Sequence, residues 1–502
     1  MVPGLSGRDG GCVRPLLTKS MKISHKKIFE IYVLAYVFFL ASKPLDDPDF
    51  WFHLKTGEYI VLNGIIPRTD PFSFTYKGYP WIAHGWLSGL IFYWIQSHLG
   101  YRVLIFLFAV IVTLAFWLVF RRCQAHPFIA GVAVFLGVLA VSTNIGVRPR
   151  VFTLVLASIF LFILENYSGR GQGRTIWILI PLMALWVNLH GGFVVGLALI
   201  VLTMIGIAVD KWFGDDDRAL WPRLRVVGLV LGGCLLAIPL NPYGAAMFAV
   251  PLRVLQTPIY KEVIVDWLSP DFHRAELFPF LLLFLITTAA LALSPVRPKP
   301  SELLLFLATL YVSLNSQRNV LIFALVAVPL FANYSQHWVD SNALGKIFRQ
   351  GSLFSDRASL LSLVFLLPLI LFAVKLKSTV YGEWRQQTMD VPLKAVEYLK
   401  QKQIVGNTFA DPNIWANYLI WTMPSNPVFI DGRDVYPEQF VKEYFDIVVG
   451  RSDWREAFDR YGVQVVIVAP KSAIARKMKD VSEWQEVYQD EMTIVFSRRN
   501  VR

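Results

Sequence analysis

Apolar residues in this chain are gathered into separate runs, several of which approach the ~20 residues that a helix needs to cross about 30 Å of hydrocarbon. These runs fall near 27–43, 101–120, 127–145, 151–167, 175–189, 191–210, 224–240, 276–293, 302–315, 319–334 and 357–377. Composition agrees: 55% of the 502 residues are apolar, only 17% are charged, and mean hydropathy is +0.49. Soluble chains carry about 25% charged residues, so too few charges remain here to coat a water-facing surface. The expected fold is mostly α, a polytopic transmembrane helical bundle of about eleven spans in an inner or plasma membrane. A small C-terminal α/β domain of roughly 120 residues follows it.

The formal charge of +12, from 48 Lys and Arg against 36 Asp and Glu, would in a soluble protein suggest nucleic acid. No basic helix or RNA-binding signature is present, so nucleic acid is not an expected partner. The basic residues instead mark sidedness. Lys22, Lys26 and Lys27, then Arg121 and Arg122, Arg170 and Arg174, Lys211, Arg218 and Arg223, Arg297 and Lys299, and Lys346 and Arg349 fall in alternate loops. The positive-inside rule places those loops in the cytoplasm, facing anionic headgroups. The basic tail 1–26 joins them, since it lacks the apolar stretch and cleavage site of a secretory signal. The transmembrane domain, 27–377, then carries a first outer loop at 44–100, and the C-terminal domain, 378–502, lies outside. Trp86–Leu99 is apolar but short and is closed by Gly100, so it is expected at the interface rather than across the membrane. Cys12, Cys123 and Cys234 have neither zinc-site nor disulfide spacing.

This sidedness was not chosen to collect the unusual motifs, yet it puts them all on the outer face. They are DDPDFWFHLKTG (46–57), NIGVRPR (144–150), NLHGG (188–192), NPYG (241–244), VDWLSPDFH (265–273) and NSQRN (315–319). Each has a plain structural explanation. NPYG reads as a turn that stops a helix, NLHGG as a break between spans, and Arg148 and Arg150 as headgroup anchors. Their convergence carries the functional argument.

The first loop is the sharpest of them. Asp46, Asp47 and Asp49 follow the first span directly, and Trp51, His53 and Lys55 come next. Three carboxylates repel one another and are expensive beside hydrocarbon, so they require a cation, a proton or a hydrogen-bonded partner. Phe50, Trp51, Phe52, Trp81 and Trp86 hold this loop on the membrane. Pro67, Pro71 and Pro80 with Gly64, Gly78 and Gly85 give the remainder a compact irregular structure.

Acids in a first outer loop, followed by a short apolar helix ending in Gly and Tyr-Arg, resemble the GT-C superfamily of integral membrane glycosyltransferases. That superfamily includes protein O-mannosyltransferases, aminoarabinose transferases and oligosaccharyltransferase catalytic subunits. DPDFWFHL (47–54), WVNLHGGF (186–193), NPYG (241–244) and FIDGRDVY (429–436) also resemble the motifs of one group of bacterial membrane proteins. Gly85 in HGWL departs from the acidic residue often found there in that group, which removes a second acidic role at that position. The FIDGR segment departs as well, in the residue before its second Asp.

The resemblance implies transfer of a sugar from a polyprenyl-phosphate-linked donor, bound from the outer leaflet, to an extracytoplasmic acceptor. Membrane lipid is the surrounding partner. Asp49 or Asp47 is then the general base. His53 either orients it or joins the two acids in holding a divalent cation such as Mg or Mn. Arg148, Arg150 and Arg318 are candidates for the leaving phosphate, because a guanidinium forks onto phosphate oxygens. Asn188 and His190 are then expected to contact the donor sugar or to line its entry. Two rivals remain, a non-catalytic assembly or scaffold protein of GT-C fold and a lipid or solute transporter. The absence of an internal repeat weighs against the transporter.

After the last span, helical stretches (VPLKAVEYLKQ, EQFVKEYFDIV, SDWREAFDRYG) alternate with β-rich runs (VQVVIVAP, EMTIVFSRR). Asp431 and Arg433 follow a strand-like PVFI. They are read either as acceptor-binding residues or as an internal ion pair holding that loop.

Overall fold

In lipid, backbone N–H and C=O groups find no water, so an apolar run satisfies them by forming a helix. The structure, a computed structural model, describes residues 25–170, 173–214, 220–251, 265–342 and 391–499. The expected span at 357–377, the basic residues Lys346 and Arg349, nearly all of the tail and the start of the C-terminal domain at 378 lie outside them.

The membrane helices are α1 (His25–Ala41), α3 (Trp86–Arg122), α4 (Pro127–Ala140), α5 (Arg150–Arg170), α6 (Leu179–Leu189), α7 (Phe193–Trp212), α8 (Leu220–Ala237), α9 (Phe278–Leu293), α10 (Pro300–Asn315) and α11 (Val320–Ser341). Among the described residues, six helices are long and apolar enough to cross a membrane, and Phe29–Ala41, Pro127–Ala140, Arg174–Leu189 and Pro300–Asn315 are shorter apolar ones. The short stretch Trp86–Leu99 is helical, and the backbone breaks at Gly100 (φ 81, ψ 170) before the longer run begins.

The sequence reading did not mark α2 (Phe50–Asn63), which follows the first-loop acids directly. Its pattern is masked because Phe50, Trp51, Phe52 and Leu54 are buried on adjoining sides. Beyond it, residues 64–85 form the irregular segment expected from the prolines and glycines, pinned by a bridge between Thr69 and Pro80.

The bundle has two chemically different ends. At one, Arg122 donates to Glu165 and, at 2.6 Å, to Leu325 O. Leu325 lies four residues before Pro329, inside α11. Proline has no N–H, so that carbonyl lacks its helical donor and the guanidinium replaces it. At the other end lie Lys43, Asp46, Asp47, Arg148, Arg150, His190, Asn241, Asp266 and Arg318, each at or just beyond a helix terminus.

The C-terminal domain has α12 (Leu393–Gln401), α13 (Ile414–Thr422), α14 (Glu438–Val449), α15 (Trp454–Tyr461) and α16 (Ala473–Met478) around a four-stranded sheet. The strands are β1 (Thr408–Asp411), β2 (Val465–Val468), β3 (Trp484–Gln489) and β4 (Ile494–Arg498), in the order β1-β2-β4-β3. β1 is parallel to β2, with Thr408 opposite Val465, and the other pairings are antiparallel. β2 and β4 are the two β-rich runs. β3 escaped notice because Gln485 and Glu486 are exposed on this edge strand. PVFI is not a strand: Val428 alone bridges Thr408 on one side and Ser73 of the first loop on the other. The loop thereby docks on the sheet edge, and Thr75 Oγ1 adds a 2.6 Å bond to Phe429 O.

Asp431 and Arg433 form an ion pair inside that junction. Arg433 Nη2 reaches Asp431 Oδ2 and Asp70 Oδ1 of the first loop, both at 2.7 Å, with both carboxylates and the guanidinium fully enclosed. Phe72 and Trp81 pack on the guanidinium at 4.8 and 4.6 Å, and Tyr436 donates to Asp431 at 2.7 Å. Removing one member of a buried pair strands the others, at about 3–5 kcal/mol. Arg433→Met is therefore expected to loosen the junction by that order, seen as a lower unfolding temperature and faster proteolysis of the C-terminal domain. Unchanged melting and protection would contradict this lock.

Candidate functional site

Short helices and loops at one end of the bundle carry the charged cluster. Asp47 and Asp49 sit in the turn that starts α2, where Asp49 N–H donates to Asp47 Oδ1 at 3.1 Å. Arg148, just before α5, lies 3.6 Å from both Asp46 and Asp47. These are ion-pair distances without hydrogen bonds, and the buried Nε of Arg148 finds no acceptor among the described residues. Arg150, at the first residue of α5, donates to Asn144 Oδ1 at 2.7 Å and pairs with Asp266. Asp266 belongs to the VDW segment, which is tied to the next motif through Ser316 Oγ and Asp266 O at 3.0 Å. Arg318 completes the group: its guanidinium stacks on Trp267 at 4.0 Å and, among the described residues, has no ion pair or hydrogen bond.

The electrostatics follow from this placement. Asp49 lies in the loop outside the spans. Its carboxyl is pushed up to about 8, first by removal from water and then by the neighbouring Asp47 charge, against the pull of Arg150 and Arg148. Burial raises Asp47 as well, although Arg148 and Arg150 oppose it. Burial would also raise Asp266, but Arg150 overrides it and holds that carboxyl low.

Two histidines next to this group are neutral. Burial and nearby His84 bring His53 down to about 3, while burial and the charge of Arg318 hold His190 well below its ordinary value. The tautomer of His190 is fixed by its neighbours. Gly192 N–H, which can only donate, points at Nδ1 from 3.1 Å. Because Nδ1 is thereby an acceptor, Thr153 Oγ1, which sits 2.8 Å from the same nitrogen and accepts from Trp186 Nε1 at 3.0 Å, is the donor in that pair. The ring proton must then be on Nε2, which no acceptor among the described residues engages. A Cβ on Gly192 would lie 2.4 Å from Thr153 Oγ1, so the second glycine of NLHGG is what lets this relay close.

Other expected residues have different surroundings. Asn188 holds Trp86 Nε1 on Oδ1 at 2.9 Å and gives its amide hydrogens to Ala184 O at 2.8 Å, which joins α3 to α6. NPYG is more than a turn. Tyr243 Oη donates to Pro67 O at 2.5 Å and accepts Ala83 N–H at 3.0 Å, bracing the first loop from both sides. Asp47, Asp49 and His53 do not assemble as a metal ligand set. Among the described residues no group of three or more His, Cys, Asp or Glu is placed to hold an ion, and guanidinium groups meet the charge of the acids instead.

No protein-family model matches the sequence, and no curated protein matches it. Solved structures do. AglB from Archaeoglobus fulgidus, an archaeal oligosaccharyltransferase in complex with an inhibitory peptide and a dolichol-phosphate, aligns at a TM-score of 0.54 and 12% identity, over 88% of this chain and 70% of that one. ArnT from Cupriavidus metallidurans in the apo state aligns at 0.52 and 13% identity, over 94% of this chain and 97% of that one. The fold is that of the GT-C membrane glycosyltransferases. Alignment over nearly the whole chain takes in the C-terminal domain as well as the helices, so the GT-C likeness is not confined to the bundle.

Several residues of this cluster carried no sequence signal. Thr153 lies within the apolar run 151–167, and neither Asp70 nor Asn417 belongs to any of the motifs. Asp266 and Trp267 were visible only as members of a motif. A direct check concerns Asp49: an infrared titration of the protein in lipid nanodiscs is expected to show a protonated carboxyl band that fades as pH rises through about 8. The band should be missing in Asp49→Asn. Its loss in the ordinary carboxylate range, near about pH 4, would show that Asp49 is not desolvated.

Proposed function

We propose that this chain transfers a sugar from a polyprenyl-phosphate-linked donor to an extracytoplasmic acceptor, on the face where the acidic and cationic groups meet. The observation that carries the reading is a buried carboxyl, raised to about 8, next to guanidinium groups whose donors are not used up among the described residues. Transfer needs both. A bond forms from an acceptor oxygen or nitrogen to the anomeric carbon while the bond from that carbon to phosphate breaks. The acceptor proton goes to Asp49, and the polyprenyl phosphate leaves as an anion. A base works best with a pKa near the working pH, a condition that burial and Asp47 create.

The developing phosphate charge is met by Arg318, which stacks on Trp267, and by Arg148. Arg318, which has no ion pair or hydrogen bond among the described residues, needs no prior bond to be broken, so it is preorganised for an incoming anion. Neutral His190 contributes an Nε2–H donor to the same group. Asp47 holds Arg148 and, through the Asp49 N–H, the turn itself. Asn188 supports the site from behind. Asp431 and Arg433 act at the junction beneath the acceptor side. AglB, aligned above, was solved with a dolichol-phosphate, a lipid phosphate of the class this arrangement suits. The gathering of this chemistry at the end away from the Arg122 loop supports an outer location, with the N-terminus in the cytoplasm.

Two measurements test this. A deletion strain is expected to lose or alter a cell-envelope glycoconjugate, and Asn in place of Asp49 should fail to restore it at normal protein level, since loss of a general base costs about 10²–10⁴-fold in rate. In the purified protein, Arg318→Met is expected to weaken binding of undecaprenyl phosphate by about tenfold or more, with Asp49→Asn leaving that affinity in place. An unchanged glycoconjugate profile in the deletion strain would leave a non-catalytic scaffold of the same fold.

A further inference from the structure

We propose that the C-terminal domain completes the site: Asn417, on α13, is a positioning residue that pins Oδ1 of Asp49 and so leaves Oδ2 as the oxygen that exchanges a proton. The proton-exchange role rests on the glycosyl-transfer reading above, whereas the pinning does not.

Asn417 is fully buried, although it belongs to the domain outside the bundle. Its amide cannot be turned around. Gly432 N–H, a donor only, points at Oδ1 from 2.9 Å, so that atom must be the carbonyl oxygen and the other end must be the NH2 group. That NH2 group donates to Asp49 Oδ1 at 3.1 Å. Among the described residues it makes the only hydrogen bond to the Asp49 carboxyl. A carbonyl oxygen accepts an amide N–H better than the hydroxyl oxygen of a protonated carboxyl does, so this bond favours Oδ1 as the carbonyl and Oδ2 as the oxygen that carries the proton.

Gly432 shows how closely the parts are fitted. A Cβ there would lie 2.7 Å from both Asn417 Nδ2 and Asp49 Oδ1, with no room for either to stay. Gly432 also sits between Asp431 and Arg433, the two residues that lock the domain to the first loop. The lock and the pin are therefore one structure, and undocking the domain withdraws the donor from Asp49. The charged groups that also act on Asp49 are Asp47, Arg150, Arg148, Asp266 and Arg318. None of them belongs to the C-terminal domain, so Asn417 is the separable contribution.

The experiment is an infrared titration of Asp49 in the full-length protein in nanodiscs, with the band assigned by its loss in Asp49→Asn. A hydrogen bond to a carboxylate favours the ionised form. Asn417→Ala is thus expected to move the midpoint upward by about one pH unit or more. Gly432→Ala keeps the amide but displaces it, and should shift the midpoint in the same direction. It serves if the first variant does not fold. A purely structural role would lower the melting temperature without moving the midpoint. A wild-type midpoint in either folded variant overturns the proposal. The function reading fails separately: a shifted midpoint with an unchanged glycoconjugate profile in the deletion strain leaves the pin standing and removes the sugar transfer. If transfer is real but its pH profile is the same in Asn417→Ala, the pin is wrong and transfer stands.

Discussion

Two carboxylates two residues apart, enclosed beside a membrane, cannot both keep full charge without compensation. Asp47 and Asp49 meet this constraint by unequal means. Asp47 faces Arg148 at 3.6 Å and accepts the N–H of Asp49, both of which favour its ionised form. Asp49 has a neutral amide instead, and more distant cations, so the proton settles there. The asymmetry lies in what each oxygen touches, and it depends on parts far apart in sequence being held in register: the end of α1, the start of α5, the VDW segment and a domain more than three hundred residues away.

Much of the surrounding structure exists to keep that register. The first loop has little regular structure between residues 64 and 85, so its position has to come from outside. Tyr243 ties it at Pro67 and Ala83, Arg68 reaches Pro242 O at 3.0 Å, and Val428 with Arg433 fastens it to the sheet. The bundle braces one side and the C-terminal domain the other. A buried ion pair is a poor source of stability but a strong discriminator of register, since any misplacement strands a charge in a dry junction. Arg433, with carboxylates from two regions and two aromatic rings packed on its guanidinium, suits that role better than general cohesion.

The spans were legible because the bilayer imposes a length and a composition on each, and those survive in a single sequence. The gathering of the motifs at one end of the bundle was legible for a similar reason, since charge near headgroups is costly unless used. The helix Phe50–Asn63 was hidden by aromatic residues around more than one face. β1 and β3 were hidden because one is short and the other lies on an edge. Asn417 left no mark, because a neutral amide in an amphipathic domain looks like any other until the partner across the junction is known. Asp431 and Arg433 were visible as a motif, but a motif alone does not say whether an Asp and an Arg face a ligand or each other. Their enclosure, with Asp70 as a third member, is information that only the fold contains.

The contrast between histidine and arginine here follows from the cost of burying charge. An imidazole can shed its proton when removed from water, whereas a guanidinium keeps its charge in almost any surroundings. His53 and His190 have done so, and in the neutral state His190 becomes a fixed donor at Nε2 because its other nitrogen is filled by Gly192 and Thr153. Arg318 keeps its charge and reduces its desolvation by lying on Trp267, where the ring face offers attraction without occupying an N–H donor. An aromatic face is thus a better support than a carboxylate for a cation that has to receive an anion. It holds the guanidinium in place without neutralising it and takes up none of its N–H donors. Arg150, by comparison, is closed off by Asn144 and Asp266 and serves to set the field around Asp49. The division of labour between these two arginines can be read from what each has been given to hold.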